Sequence, residues 1–122
     1  MLLPSQVKKI ICAVLLIVTL AFGEIAFNPP TALADTANIA TGAEVFSVNC
    51  AGCHINGSNI IRRGKNLKLK ALKKYKMDSI ANISDLVTNG KGVMSAYKDR
   101  LSEQQIIDVS AYVLSQAAND WK

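Results

Sequence analysis

Cys50-Ala51-Gly52-Cys53-His54 is the segment whose residue types and spacing can carry chemistry. Two thiols separated by two residues near the end of a helix stand one turn apart. Each can then add to one of the two vinyl groups of a haem, and the residue that follows falls under the iron. His54 offers a nitrogen ligand there, and as the single histidine of the chain it has no competitor.

Two other chemistries use such residues. A redox dithiol of the thioredoxin kind belongs beside a βαβ unit and has no need of His54, and nothing here alternates as a strand does. A zinc site takes four cysteine or histidine ligands, and only three lie here, all within five residues.

A haem iron with one histidine ligand leaves a position opposite. Met94 lies in Lys91-Gly92-Val93-Met94-Ser95-Ala96-Tyr97, an extended, glycine-bearing segment, and it belongs to no helical stripe. A thioether at that position raises the potential and suits electron transfer. Met77, after a basic run, is the competing candidate; loop placement and order along the chain favour Met94.

Helical elements must position these groups. The spacing of Ile39, Ala43, Phe46 and Cys50 predicts a helix over 37–51 that leads straight into the cysteine motif. Asn56-Gly57-Ser58-Asn59 and Gly64 predict an irregular loop over 55–67 that wraps the cofactor. A short helix is expected from Lys70 to Tyr75. Ser79 or Ser84 caps a further helix that buries Ile80, Ile83 and Val87 and stops at Asn89-Gly90 with a left-handed residue. Ser102-x-x-Gln105 is a capping box, and Ile106, Val109, Val113 and Ala117 extend the last helix to about Asn119. The expectation is an all-α domain of about four helices around one covalently bound haem.

The first 34 residues read as an address and not as part of that domain. Lys8 and Lys9 precede an apolar run from Ile10 to Phe22, and Ala32-Leu33-Ala34 supplies a small-x-small cleavage pattern before Asp35. The other reading is a retained membrane anchor, but a spanning helix takes about 20 apolar residues, and this run is shorter and meets Gly23, Glu24 and Pro29-Pro30. Cys12 is expected to leave with the peptide. Residues 35–122 then form the mature domain, a length at which a hydrophobic core is thin and a cofactor supplements it.

Without residues 1–34, which carry Lys8, Lys9 and Glu24, the net charge falls from +5 to +4. Eight basic residues lie between Arg62 and Lys76 with no acid among them. Such a run is either a solvated face or a surface that steers the protein toward an acidic partner. Nucleic acid is not expected as a partner of an exported haem protein.

The mature segment resembles the cytochrome c6 family of cyanobacteria and algae, within the class I cytochromes c. The likeness rests on Gly42-Ala43-x-x-Phe46-x-x-Asn49-Cys50-Ala51-x-Cys53-His54, on Asn89-Gly90-Lys91-Gly92-x-Met94-x-Ala96, and on Asp99-Arg100-Leu101-Ser102-Glu103 leading to Ala111-Tyr112-Val113. The resemblance implies haem c on Cys50 and Cys53, axial ligation by His54 and Met94, and packing of Gly42 and Phe46 against Tyr112. It also implies docking through Arg100 beside the exposed haem edge, and Lys65 near a haem propionate. The implied function is one-electron transfer from the cytochrome b6f complex, through cytochrome f, to photosystem I, in the thylakoid lumen or periplasm. A monomer or weakly self-associating form, with no permanent anchor, is expected.

Two residues depart from the family pattern. Ser95 stands where a proline usually follows the ligand methionine, which puts the stiffness of that loop in question. Leu86 stands where the photosynthetic carriers usually have glutamine, which resembles the c6-like paralogues of lower potential. Such a paralogue would serve a terminal oxidase or another acceptor. A haem-based ligand sensor, or a peroxidase-like enzyme, would need Met94 off the iron, and no distal histidine or arginine is evident for peroxide chemistry.

Overall fold

The computed structural model describes residues 4–9, 11 and 36–122. Most of the apolar run, the cleavage pattern and Cys12 lie outside the described residues. Among the described residues no helix is long and apolar enough to cross a membrane.

Helix α1 spans Ile39–Asn49, and the Asn38 side chain caps it by accepting the Thr41 N–H at 3.1 Å. It stops before the cysteine motif and does not run through to Ala51 as expected. Cys50 interrupts the helix with φ −117° and ψ −35°, and a four-residue helix α2 (Ala51–His54) starts beyond it. The buried face also differs from the expected stripe: Gly42, Val45 and Phe46 are buried, whereas Ile39 is 42% exposed. Close approach to the last helix selects the small residue over the apolar one.

The segment after α2 is irregular, as its turn residues require, with 3-10 turns at Ile55–Gly57 and Arg63–Lys65. Helix α3 (Leu69–Lys74) buries Leu72. Helix α4 (Ile80–Asn89) is capped by Ser79, whose side chain accepts the Asn82 N–H at 3.2 Å. Ser84 serves elsewhere, donating to Ser110 at 3.0 Å inside the helix packing. Gly90 ends α4 at φ +68°, the positive φ expected of the glycine stop, and its ψ of 173° carries the chain away from the helix. Helix α5 (Glu103–Ala118) carries the predicted capping box complete, with Ser102 and Gln105 each bonded to the other's backbone N–H.

Helices α1 and α5 cross where a Cβ on Gly42 would overlap the backbone carbonyl of Asp108. Asp108 is itself buried, and its Oδ1 accepts from the Asn38 N–H at 2.8 Å and from Gln104 Nε2 at 2.9 Å, which ties the start of α1 to α5. Phe46 and Tyr112 meet in the same interface with ring centroids 5.4 Å apart. The core continues through Ile83, Val87, Val109 and Val113, so α4 closes the third side.

The chain ends by folding back. Trp121 packs its indole on Phe46 with centroids 5.1 Å apart and donates Nε1–H to the Leu67 carbonyl at 3.0 Å.

Candidate functional site

The helices do not fill the space between them. A cavity of about 440 Å³ opens between α1, α4 and α5 on one side and the 55–67 loop with α3 on the other. Its size falls within the range of roughly 300–1,000 Å³ usual for cofactor sites. Phe46, Leu72, Ile83, Val87, Val109 and Val113 make much of its wall apolar. Cys50 and His54 border it from the α2 side, and Met94 borders it from the loop after α4. A smaller adjoining hollow of about 140 Å³ is lined by Cys50, Cys53, His54 and Met94 together, with Tyr97 at its edge.

The local backbone explains why His54 faces this space. His54 N–H donates to the Cys50 carbonyl at 2.9 Å, closing the turn that carries both thiols. Its Nδ1 lies 2.9 Å from the Ser58 carbonyl. A carbonyl can only accept, so Nδ1 carries the proton and Nε2 keeps its lone pair for a metal, the arrangement usual for a ligating histidine. Asn56 at φ +50° and Gly57 at φ +71° turn the loop so that Ser58 arrives at the ring.

The two thiols differ. Cys53 is exposed and Cys50 is half-buried. Burial pushes the Cys50 thiol up to about 11, and the neighbouring Cys53 adds to the rise. Exchange chemistry needs a thiolate, so this shift runs against the redox-dithiol reading. The donor set fits a haem: two thiols, an imidazole with a free Nε2 and a loop thioether border one hollow, beside a larger apolar cavity with cations at its rim.

Other predicted residues divide. Both methionines border the large cavity, but only Met94 also borders the hollow that contains Cys53 and His54, which separates it from Met77. Lys65 borders the cavity, joined by Arg62. Leu86 lines it too, so the departure from glutamine changes the wall itself. Arg100 is exposed and borders neither space; its guanidinium sits 4.4 Å over the Tyr97 ring. Two contributors were missed from sequence. Trp121 backs the loop that presents Ser58, and Tyr97 donates its hydroxyl to the Asn49 carbonyl at 3.0 Å. The aromatic side chains gave the only signal, and neither partner is local.

Comparison with known proteins extends this picture. Residues 37–113 match the family described as cytochrome c oxidase, cbb3-type, subunit III. A cytochrome c6-like protein of Nostoc sp. (strain PCC 7120 / SAG 25.82 / UTEX 2576) is 60% identical over 108 residues, which is 88% of this chain and 95% of that protein. The cytochrome c6 of the same organism is 48% identical over 115 residues, 94% of this chain and 99% of that protein. The crystal structure of cytochrome c6C from Synechococcus sp. PCC 7002 aligns with a TM-score of 0.65 at 56% identity, covering 66% of this chain and 99% of that one. Identity at this level, across almost the full length of each relative, makes the chain a member of the cytochrome c6 family, an electron-transfer protein built around one covalently bound haem c.

Proposed function

We propose that Cys50 and Cys53 hold the haem through thioethers, that His54 and Met94 are its axial ligands, and that the chain is a c6-like one-electron carrier. The observation that carries this reading is the shared hollow: the two cysteines, the histidine and the loop methionine border one small space. When bound, the haem supplies an iron that alternates between Fe(III) and Fe(II). His54 is oriented by the Ser58 carbonyl, so its ligating nitrogen need not reorient as the charge changes. The apolar wall excludes water, which keeps reorganisation small and lets the ligands set the potential.

Residues 1–34 act in this reading as a cleaved signal, giving an exported protein of the lumen or periplasm. The basic run of Arg62 to Lys76 is largely exposed, and Lys68 with Asp120 at 3.3 Å is its one ion pair among the described residues. Charge so little compensated supports docking on an acidic partner. Identity of 60% to a c6-like protein against 48% to a c6, together with Leu86, supports the paralogue over the photosystem I donor. Donation from cytochrome f to photosystem I is the second reading, favoured by the near-complete coverage of the c6 sequence.

A potentiometric titration of the visible spectrum of the matured holoprotein tests these readings. The expected result is a low-spin spectrum at a potential clearly below that of the photosynthetic carriers. A low-spin spectrum at their potential returns the chain to the cytochrome f to photosystem I step. A high-spin spectrum with rapid carbon monoxide binding would replace the carrier with a ligand sensor.

A further inference from the structure

We propose that Tyr97 is the positioning residue that keeps Met94 at its ligating place, by fastening the methionine loop to the end of α1. The inference rests on Met94 as the second axial ligand. The loop leaves α4 at Gly90 and is closed locally by two bonds, Lys91 N–H to the Met94 carbonyl at 2.9 Å and Met94 N–H to the Lys91 carbonyl at 3.2 Å. These join Met94 only to its own neighbours. Val93 beside it is 66% exposed, so apolar burial of that side chain anchors the loop little.

The long-range ties come from Tyr97. Its N–H donates to the Val87 carbonyl in α4 at 2.9 Å, and its hydroxyl donates to the Asn49 carbonyl at 3.0 Å, 48 residues away in sequence. Asn49 is the last residue of α1 and directly precedes Cys50. The hydroxyl therefore bonds the methionine loop to the segment that carries the opposite ligand, His54. Arg100 stacks over the ring at 4.4 Å, and the Arg100 and Leu101 N–H groups both donate to the Tyr97 carbonyl at 2.9 Å, which holds its backbone. Arg100 thus has work inside the fold, beyond any role in docking.

A loop can also be stiffened through its own backbone. Proline fixes φ and lowers the entropy of the loose state, whereas the Tyr97 hydroxyl restrains the loop only in the folded protein. Position 95 is Ser, and its N–H takes part in none of the loop's backbone hydrogen bonds. The two devices are exchangeable if the hydroxyl acts by holding the loop still.

The test compares the holoproteins of the unaltered chain, Tyr97→Phe, Tyr97→Phe with Ser95→Pro, and Met94→Ala. Two signals are read: the sulfur-to-iron charge-transfer absorption of the oxidised form and the rate of carbon monoxide binding to the reduced form. Y97F keeps the ring and removes one oxygen. Loss of one hydrogen bond should raise the population of the open loop about tenfold, and carbon monoxide binding with it, which corresponds to about 1.4 kcal/mol. Adding S95P should return the rate toward that of the unaltered chain. Y97F indistinguishable from the unaltered chain, while M94A opens the iron, overturns the role of Tyr97. A fast Y97F that S95P leaves unchanged overturns the stiffening mechanism. M94A identical to the unaltered chain removes Met94 from the iron, and so refutes the underlying reading separately.

Discussion

At the scale of single residues, Leu86 is the point where the cavity wall itself departs from the family pattern. Leu86 borders the large cavity in company with Ile83 and Val87, so a haem held there would meet hydrocarbon. Leu86→Gln would bring a carboxamide to that wall. Two effects oppose one another: a more polar wall favours the charged ferric state, while an N–H aimed at the electron-rich ring or sulfur favours the ferrous state. The oriented donor should win, because a dipole at contact distance in a low-dielectric site outweighs a modest rise in average polarity. A donor worth about 1 kcal/mol raises a one-electron potential by roughly 40 mV. Redox titration of L86Q against the unaltered holoprotein checks this; an unchanged or lower potential would place the tuning elsewhere in the wall.

At the scale of elements, the α1–α5 crossing depends on one missing methyl group. A Cβ on Gly42 would overlap the Asp108 carbonyl and press on the Cβ of Tyr112, and backbone cannot swing aside as a side-chain tip can. Gly42→Ala gains about 1 kcal/mol in helix propensity. It loses more, about 3 kcal/mol, by forcing the helices apart and disturbing the Asp108 bond to Asn38. The net loss of about 2 kcal/mol should lower Tm by roughly 10 °C in a domain of this size, with the haem spectrum retained. Thermal unfolding of the G42A holoprotein measures it, and an unchanged Tm would mean that the crossing is looser than described. The same crossing explains what could be read from sequence. Helix α5 was legible because its signals are local: the Ser102–Gln105 box and the stripe of Ile106, Val109, Val113 and Ala117, all buried. In α1 the apolar pattern pointed to Ile39, yet Gly42 faces the partner, since glycine at a close crossing carries no hydropathy signal. The cysteine motif and Met94 were singled out by chemistry and spacing, and the structure brings them to one hollow. Cys50 as a helix break was not, because no proline or glycine announces it.

At the scale of the whole molecule, the C-terminus reaches back to the loop that presents the histidine. Asp120 and Trp121 both adopt positive φ, +56° and +59°, conformations that cost energy for side chains of this kind. Several contacts hold them there: Trp121 N–H donates to the Gln116 carbonyl at 2.8 Å, Lys68 Nζ bonds Asp120, and the indole packs on Phe46 and, at 6.1 Å between centroids, on Tyr112. On its other side the indole lies so close to Gly57 that any Cβ there would overlap it. Gly57 accepts the Leu67 N–H at 2.8 Å and adjoins Ser58, whose carbonyl orients His54. The last turn of the chain is therefore continuous, through packing, with the loop that holds His54, although Trp121 lies 67 positions beyond it in sequence. Such long-range contacts leave no periodic trace in a sequence, which is why the spacing that placed the last helix said nothing of Trp121 as a brace. Trp121→Ala should remove the brace and leave the thioether attachment intact. Loss of a partly buried indole costs about 3 kcal/mol. Hydrogen exchange gives the discriminating measurement in the holoprotein: the Leu67 amide should lose protection more than the Val109 amide, which lies in α5 away from the loop. Equal loss at both sites would indicate general destabilisation, and unchanged exchange at Leu67 would show that the loop holds His54 without help from the C-terminus.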